Sequence, residues 1–332
     1  MFNTVIINKD NLINNIKQVK NKNPNSKICA MVKANAYGVG LNSIVNILSD
    51  YVDYFGVACF FEAEQVKEQT TKPILIVGPI EKGNVNDQYI YSVNSLDDVL
   101  YLLSLNKAIR IHIKINSGMN RYGFSSVKEL KKSLLFIKQS KLILEGVFTH
   151  FATADNFIKQ QYKTFLKFAD LIKKEFPHVI LHADNSIVSE IQNHHLDMVR
   201  IGFGLYNNIS SIRTKIVQIN VVKKNDLVGY DYRFVATKKM KVAILPVGYA
   251  DGFELKYLGM EIFCGSTKCK ILNICMDCLM LDISKTKLKK GDEIYLLNNV
   301  NNLSLFAEYA KTSTYEVLTS FSKIRANTII LD

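Results

Sequence analysis

Between residues 28 and 201 short apolar runs and amphipathic stretches take turns along the chain. The apolar runs are ICAMVK (28–33), YFGVACF (54–60), PILIVG (73–78), YIYSV (89–93), IRIHIKI (109–115), LEGVFTH (144–150), VILHA (179–183) and DMVRIG (197–202). They are short, β-branched and nearly continuous, the pattern of strands buried on both faces. Between them lie helix-like stretches, among them LNSIVNILSD, FFEAEQVKEQ, SLDDVLYLLSL, SVKELKKSLLFIKQS and NFIKQQYKTFLKFADLIKKEF. Eight strands alternating with helices predict an α/β fold, a TIM-like (β/α)8 barrel. A doubly wound open sheet is the competing arrangement.

The rhythm changes after about residue 211. TKIVQINVV, MKVAILPV, MEIFC, CKILNI, CLMLDI and DEIYLLN read as strands, separated by turns such as KKND, GSTK and KKGD. LSLFAEYAK and TYEVLTSF read as helices. The expected division is a barrel over residues 1–211 and a smaller, mainly β domain over 212–332.

Composition agrees with two domains: 332 residues are too many for one ordinary core. With 48% apolar and 22% charged residues the composition is that of a soluble globular protein. No run of about 18 apolar residues predicts a membrane span. The start, MFNTVIINKDNL, lacks the basic flank and apolar core of a secretion signal, so a cytoplasmic protein is expected. The net charge of +12 divides into +6 on either side of residue 212. Charge spread in this way does not form the tail or stripe of a nucleic-acid binder.

Cys264, Cys269, Cys275 and Cys278 crowd one stretch. A zinc ribbon needs two C-x-x-C pairs further apart, and only Cys275–Cys278 has that spacing. The alternation in CMDCLMLDI sends Cys275 and Cys278 to opposite faces of a strand, so buried thiols and no metal are expected.

In a barrel of this kind the chemistry collects at the carboxyl ends of the strands. The first strand ends in Lys33, followed by Ala-Asn-Ala-Tyr37. The fifth ends at Lys114, and its loop NSGMNRYGF brings Arg121. The sixth ends at His150, the seventh leads to Asn185-Ser186, and the eighth ends in Arg200 with Gly202 beyond. Reactive and phosphate-liking side chains thus gather where the fold places active sites.

These residues also carry a resemblance. MVKANAYGVG (31–40) resembles the cofactor-lysine signature of bacterial alanine racemases. NSGMNRYGF, VFTHFATAD, ADNS, RIGFGLY, VGYADGF and CMDCLMLDI resemble further blocks of that family, in the same order. The resemblance implies a homodimer that binds pyridoxal phosphate on the barrel and interconverts L- and D-alanine, supplying D-alanine for peptidoglycan. It implies that Lys33 is the Schiff-base lysine; a lysine ending a buried strand is otherwise unusual, and desolvation lowers its pKa. Tyr37, Ser186 and backbone groups near Gly202 and Phe203 resemble the phosphate grip. His150 matches the histidine against the cofactor ring, and Arg200 the arginine facing the pyridine nitrogen. Taken alone, Tyr37 reads equally as a packed aromatic and His150 reads rather as a structural histidine, while a salt-bridge partner is the lesser alternative for Arg200.

Racemisation needs one base on each face of the α-carbon. By resemblance Lys33 serves one face, and Tyr249 of the partner subunit the other. A free tyrosine titrates near about 10, so nearby cations are expected to stabilise its phenolate. Arg121 and the backbone of Met276 match the substrate-carboxylate site. Lys114 stands where some relatives carry a carbamylated lysine.

One departure stands out. The family ends in an arginine-rich block followed by a tyrosine; here the segment is FSKIRANTII, with Asn327 or Thr328 at that place. The competing functions are a serine-accepting racemase, a basic amino-acid decarboxylase, a barrel-only cofactor carrier and a basic interaction protein. The decarboxylase supplies a cysteine from its second domain where this chain has Tyr249, and the carrier lacks the β domain.

Overall fold

The structure, a computed structural model, describes residues 1–152, 157–183 and 196–331. It divides into two compact units, Ile13–Ala36 with Leu41–Leu205, and Met1–Leu12 and Tyr37–Gly40 with the chain from Tyr206 on.

In the first of these units eight strands close into a barrel. They are β2 (Lys27–Met31), β3 (Tyr54–Val57), β4 (Ile74–Ile76), β5 (Ile90–Val93), β6 (Arg110–Lys114), β7 (Ile143–Phe148), β8 (Ile180–His182) and β9 (Met198–Ile201). Neighbours run parallel, and β9 returns to β2 with Arg200 opposite Cys29. Each lies within an expected run, or one residue beyond it at the start of β2 and β7. The open-sheet alternative is excluded by the closure. Every residue of β3, β4, β5 and β9 is buried, which explains why the runs are continuous rather than alternating. The helices turn one stripe inward: Leu41–Leu48 buries Leu41, Ile44, Val45 and Leu48. Ser95 and Ser126 open the helices Leu96–Ser104 and Val127–Lys138 by accepting the Asp98 and Glu129 N–H groups at 3.2 and 3.3 Å.

The barrel carries a buried polar group among its apolar residues. His112 on β6 and His182 on β8 are hydrogen-bonded, Nδ1 to Nε2, at 2.8 Å. Gly146 on β7 lies opposite His112 in register. A Cβ at Gly146 would stand 2.6 Å from the His112 ring, so glycine is what lets the imidazole fit.

The other unit is built of two antiparallel-rich sheets. One has the order β16 (Glu293–Leu297), β10 (Ser210–Lys215), β1 (Thr4–Asn8), β17 (Asn327–Leu331). The other has the order β11 (Gln218–Val222), β12 (Met240–Leu245), β15 (Leu279–Asp282), β14 (Thr267–Ile274), β13 (Glu261–Cys264). Two sequence expectations change here. TKIVQINVV is not one strand: the Ile216 N–H binds Asp292 O at 2.9 Å and the Val217 N–H binds Ile244 O at 3.0 Å, passing the chain between sheets. Cys275 and Cys278 do not lie on opposite strand faces, because β15 begins only at Leu279. They flank a turn closed by Cys275 N–H to Cys278 O at 2.8 Å, and their thiols are hydrogen-bonded.

Strands β1 and β17 come from the two ends of the chain and pair in parallel. Buried Asn3 ties them together. Its amide donates to Pro246 O at 2.9 Å, its Oδ1 accepts from Thr214 at 2.7 Å, and its carbonyl accepts the Asn327 N–H at 3.1 Å. Among the described residues no helix is long and apolar enough to cross a membrane.

The tight fit at Gly146 yields a prediction. Gly146→Ala should lower the unfolding free energy by about 1–3 kcal/mol, the usual cost of overpacking a core. Urea denaturation checks this, and an unchanged midpoint would contradict the packing described for His112.

Candidate active site

Cationic side chains meet at the carboxyl ends of the barrel strands. Lys33 follows β2, Lys114 ends β6, Arg200 lies in β9, and Arg121 sits in the loop after β6. Burial and then the Arg121 guanidinium hold the Lys33 amine below its ordinary range, with Arg200 acting in the same direction and Glu62 opposing. Lys114 is buried and brought down to about 7 by desolvation, Arg121, Arg200 and Lys33. Its Nζ lies 4.9 Å from the Tyr122 ring centroid and 5.4 Å from that of Phe148, faces that favour a cation. His150, after β7, is brought down to about 3 by burial and by Arg200, Arg121, Lys114 and Lys33. Lys114, Arg121, Thr149 and His150 line one small pocket. Five of the residues singled out in the sequence are therefore within electrostatic reach of one another.

Arg200 is fixed in place. Its Nη1 is 2.6 Å from His182 Nδ1, and its Nη2 donates to Thr149 O at 2.7 Å and Ala183 O at 3.3 Å. The guanidinium also lies 5.0 Å from the Phe148 ring centroid. An always-protonated arginine makes His182 Nδ1 the acceptor. The His182 Nε2–H then donates to His112 Nδ1, and both rings stay neutral.

The chain just after Lys33 is unusual. Ala34, Asn35, Ala36 and Tyr37 are consecutively left-handed, with φ of 53°, 54°, 52° and 55°. Such a conformation costs about 1–2 kcal/mol per non-glycine residue, and strain of this kind gathers at functional sites. Local bonds hold the run: Ala36 N–H to Val32 O at 2.8 Å and Leu41 N–H to Asn35 Oδ1 at 2.8 Å. Glu62 adds one more, accepting Ala34 N–H at 2.6 Å, and with its other oxygen accepts Ala58 N–H at 2.7 Å.

Gly202 and Phe203 follow β9 directly and lead into a short turn of helix, Phe203–Tyr206. Ser186 lies outside the described residues.

The remaining site residues belong to the other unit. Tyr249 opens a short helical turn, Tyr249–Asp251, after β12. Its N–H binds Cys275 O at 3.0 Å and the Ala250 N–H binds Met276 O at 2.9 Å, so Tyr249 and Met276 stand side by side. Gly248 permits this approach, since a Cβ there would meet Cys275 O at 2.3 Å. Both side chains are exposed, 41% for Tyr249 and 59% for Met276. Beneath them Asp251 is fully buried. It accepts the Gly248 N–H at 3.0 Å and both Nε and Nη2 of Arg325 at 2.8 Å. Tyr37 packs its ring 4.8 Å from that of Tyr206 and 6.5 Å from that of Tyr315. Burial pushes its phenol above the usual range, so it remains a hydrogen-bond donor.

Sequence reasoning did not single out Glu62, His182, Asp251 or Arg325. Asp251 and Arg325 fall in quoted blocks, VGYADGF and FSKIRANTII, but nothing local shows that they pair.

The family model of the alanine racemase N-terminal domain matches residues 7–210, and that of the C-terminal domain matches residues 209–329. The chain belongs to the alanine racemase family. Among curated relatives, the alanine racemase of Fusobacterium nucleatum is 33% identical over 330 residues, covering 88% of this chain and 90% of its own. That of Francisella philomiragia is 32% identical over 361 residues, covering 97% and 98%. Of the solved structures, alanine racemase from Bacillus anthracis with bound L-Ala-P superposes with a TM-score of 0.93 at 27% identity, covering 100% of this chain and 95% of its own. Alanine racemase from Bartonella henselae, solved with covalently bound pyridoxal phosphate, shares the fold at a TM-score of 0.89 and 22% identity, covering all of both chains. The racemase reading thus stands over the decarboxylase, the carrier and the basic interaction protein.

The buried histidines give a pH prediction. Burial first, then Arg200, bring His112 down to about 3 and His182 well below its ordinary value, so both are neutral in the folded chain. The unfolded chain takes up their protons below about 6.5. The folded chain does so only at lower pH, about 3 for His112 and well below the ordinary value for His182, so stability is full above about 6.5 and lost as pH falls from there. The limiting slope is about 1.4 kcal/mol per pH unit for each histidine. Urea unfolding between pH 7.5 and 5, above most carboxylate titrations, should show this fall; a flat profile would contradict the neutral pair.

Proposed function

We propose that this chain racemises alanine with pyridoxal phosphate bound at the carboxyl end of the barrel. The observation that carries this reading is the convergence of Lys33, Lys114, Arg121 and Arg200 with Glu62 as the carboxylate acting on Lys33. The donor set fits the group: an amine with a lowered pKa suits its aldehyde, and the surrounding cations suit a substrate carboxylate.

Lys33 would hold the cofactor covalently. Tyr37, Ser186 and the backbone at Gly202 and Phe203 would take its phosphate, at the usual phosphate end of such barrels. His150 would lie against its ring and Arg200 would face its pyridine nitrogen. When bound, pyridoxal phosphate withdraws electrons from an attached amino acid and so acidifies the α-hydrogen.

The protein's own part is to place charge and move protons. Arg121 and the Met276 backbone would orient the substrate carboxylate. Lys33 would move a proton on one face of the α-carbon; its lowered pKa leaves amine free to accept one. Tyr249 serves the opposite face. In this assignment Lys33 takes the proton from D-alanine and Tyr249 from L-alanine. Arg200 donates a hydrogen bond but keeps its proton. Its hold on a neutral His182 would preserve that role and limit the electron withdrawal that the cofactor can supply. A half-deprotonated amine near neutral pH also suits Lys114 to carbamylation by carbon dioxide.

The same reading makes the enzyme a cytoplasmic homodimer whose active sites are shared. It keeps residues 1–211 as the cofactor-binding segment and 212–332 as the segment that lends Tyr249 and Met276 to the partner. The adjacency and exposure of those two side chains support that role.

Two experiments test this function. Tyr249→Phe should cut racemisation by at least 100-fold, the scale on which positioned proton transfer acts, while cofactor binding persists. Near-normal turnover would remove Tyr249 as the second base. Co-expressed Lys33→Ala and Tyr249→Phe chains, purified through two tags, should recover about half the sites in each mixed dimer, one site being intact and the other doubly defective. Mixed dimers no more active than either parent would remove the shared site.

A further inference from the structure

Glu62 lies in the first turn of the helix Phe60–Lys67, where the helix dipole favours a carboxylate. Its two oxygens reach the chain just beyond two adjacent barrel strands: Oε1 takes the Ala34 N–H beyond β2 at 2.6 Å, and Oε2 the Ala58 N–H beyond β3 at 2.7 Å. Ala34 is the first residue of the left-handed run and the immediate neighbour of Lys33. We propose that Glu62 is a positioning residue for Lys33: its carboxylate clamps the strained turn that aims the lysine and sets a negative charge beside it. This inference rests on the reading of Lys33 as the cofactor lysine and adds to it the group that holds that lysine.

The clamp and the charge are separable. The backbone bonds are charge-assisted, so an amide at this position would weaken one and turn its own N–H groups against the other. The groups that act on Lys33 are Arg121 and Arg200, and Lys114 and His150 feel Lys33 in turn. Against these, Glu62 raises the pKa of the lysine. It keeps enough of the amine protonated to return a proton to the α-carbon in the L-to-D direction.

The test compares the wild type with Glu62→Gln and Glu62→Asp as full-length chains. Hydrogen exchange of the peptide spanning Lys33–Tyr37 reads the clamp and should quicken in both variants, with distant peptides unchanged. The pH dependence of Lys33 acetylation by acetic anhydride, in cofactor-free protein with the circular dichroism of the holoenzyme, reads the charge. Glu62→Gln should move that titration down by about 0.5–1 unit, the scale of one partly screened charge. Glu62→Asp, which keeps the charge, should leave it near the wild-type value. In the holoenzyme the acid limb of D-alanine turnover should move down with it in Glu62→Gln. Unchanged exchange in either variant sinks the clamp, and Glu62→Asp alone suffices for this if Glu62→Gln does not fold. A wild-type Lys33 titration in Glu62→Gln, or equal shifts in both variants, sinks the charge. Whether Lys33 carries the cofactor is scored independently by peptide mass, so failure here is distinct from failure of the racemase reading.

Discussion

The structure depends on the gathering of like charge at one end of the barrel. Eight parallel strands aim their carboxyl ends at a common region, and four of the groups placed there are Lys33, Lys114, Arg121 and Arg200. Positive charges brought together and partly desolvated repel one another, and each such group must be neutralised, paired or deprotonated. All three responses are present. Arg200 is taken up by His182, by two backbone carbonyls and by the Phe148 face. Lys33 and Lys114 are driven toward the neutral amine, and Glu62 supplies a counter-charge. What would complete the balance is an anion, and the family's cofactor and substrate each bring one.

That balance also fixes the tautomers beneath the site. A guanidinium that cannot accept a hydrogen bond forces His182 to do so, and His182 in turn donates to His112. The small residue at Gly146 makes room for the second ring. In the other unit the arrangement follows the same logic with opposite sign. A buried carboxylate, Asp251, is satisfied by Arg325 and by the Gly248 N–H, and the turn it stabilises carries Tyr249 next to Met276. Each candidate base is thus held by a backbone turn that a carboxylate fastens, Glu62 for Lys33 and Asp251 for Tyr249.

Much of this was legible in the sequence because barrel strands buried on both faces leave continuous apolar runs, and their last residues name the site. Lys33, Lys114, His150 and Arg200 follow from this pattern without any likeness to a family. Contacts without a local pattern were not legible. Strand β1 pairs with β17 from the far end of the chain, and no periodicity within five residues announces that partner. The run TKIVQINVV hid a passage between two sheets, because both halves satisfy the same strand pattern. The expected opposite faces for Cys275 and Cys278 failed because the alternation was extended through a turn. Glu62 looked like an ordinary helix former; its role appears only when the ends of β2 and β3 are side by side.

If the charge gathered at the barrel end serves to hold pyridoxal phosphate through Lys33, that lysine must carry the cofactor covalently. Borohydride reduction of the purified protein after cofactor addition, followed by peptide mass mapping, tests it most directly. The protein should be yellow and bleach on reduction, and one peptide, containing Lys33, should gain the mass of the reduced cofactor. A colourless protein, or a cofactor fixed to Lys114 or any other lysine, would contradict it.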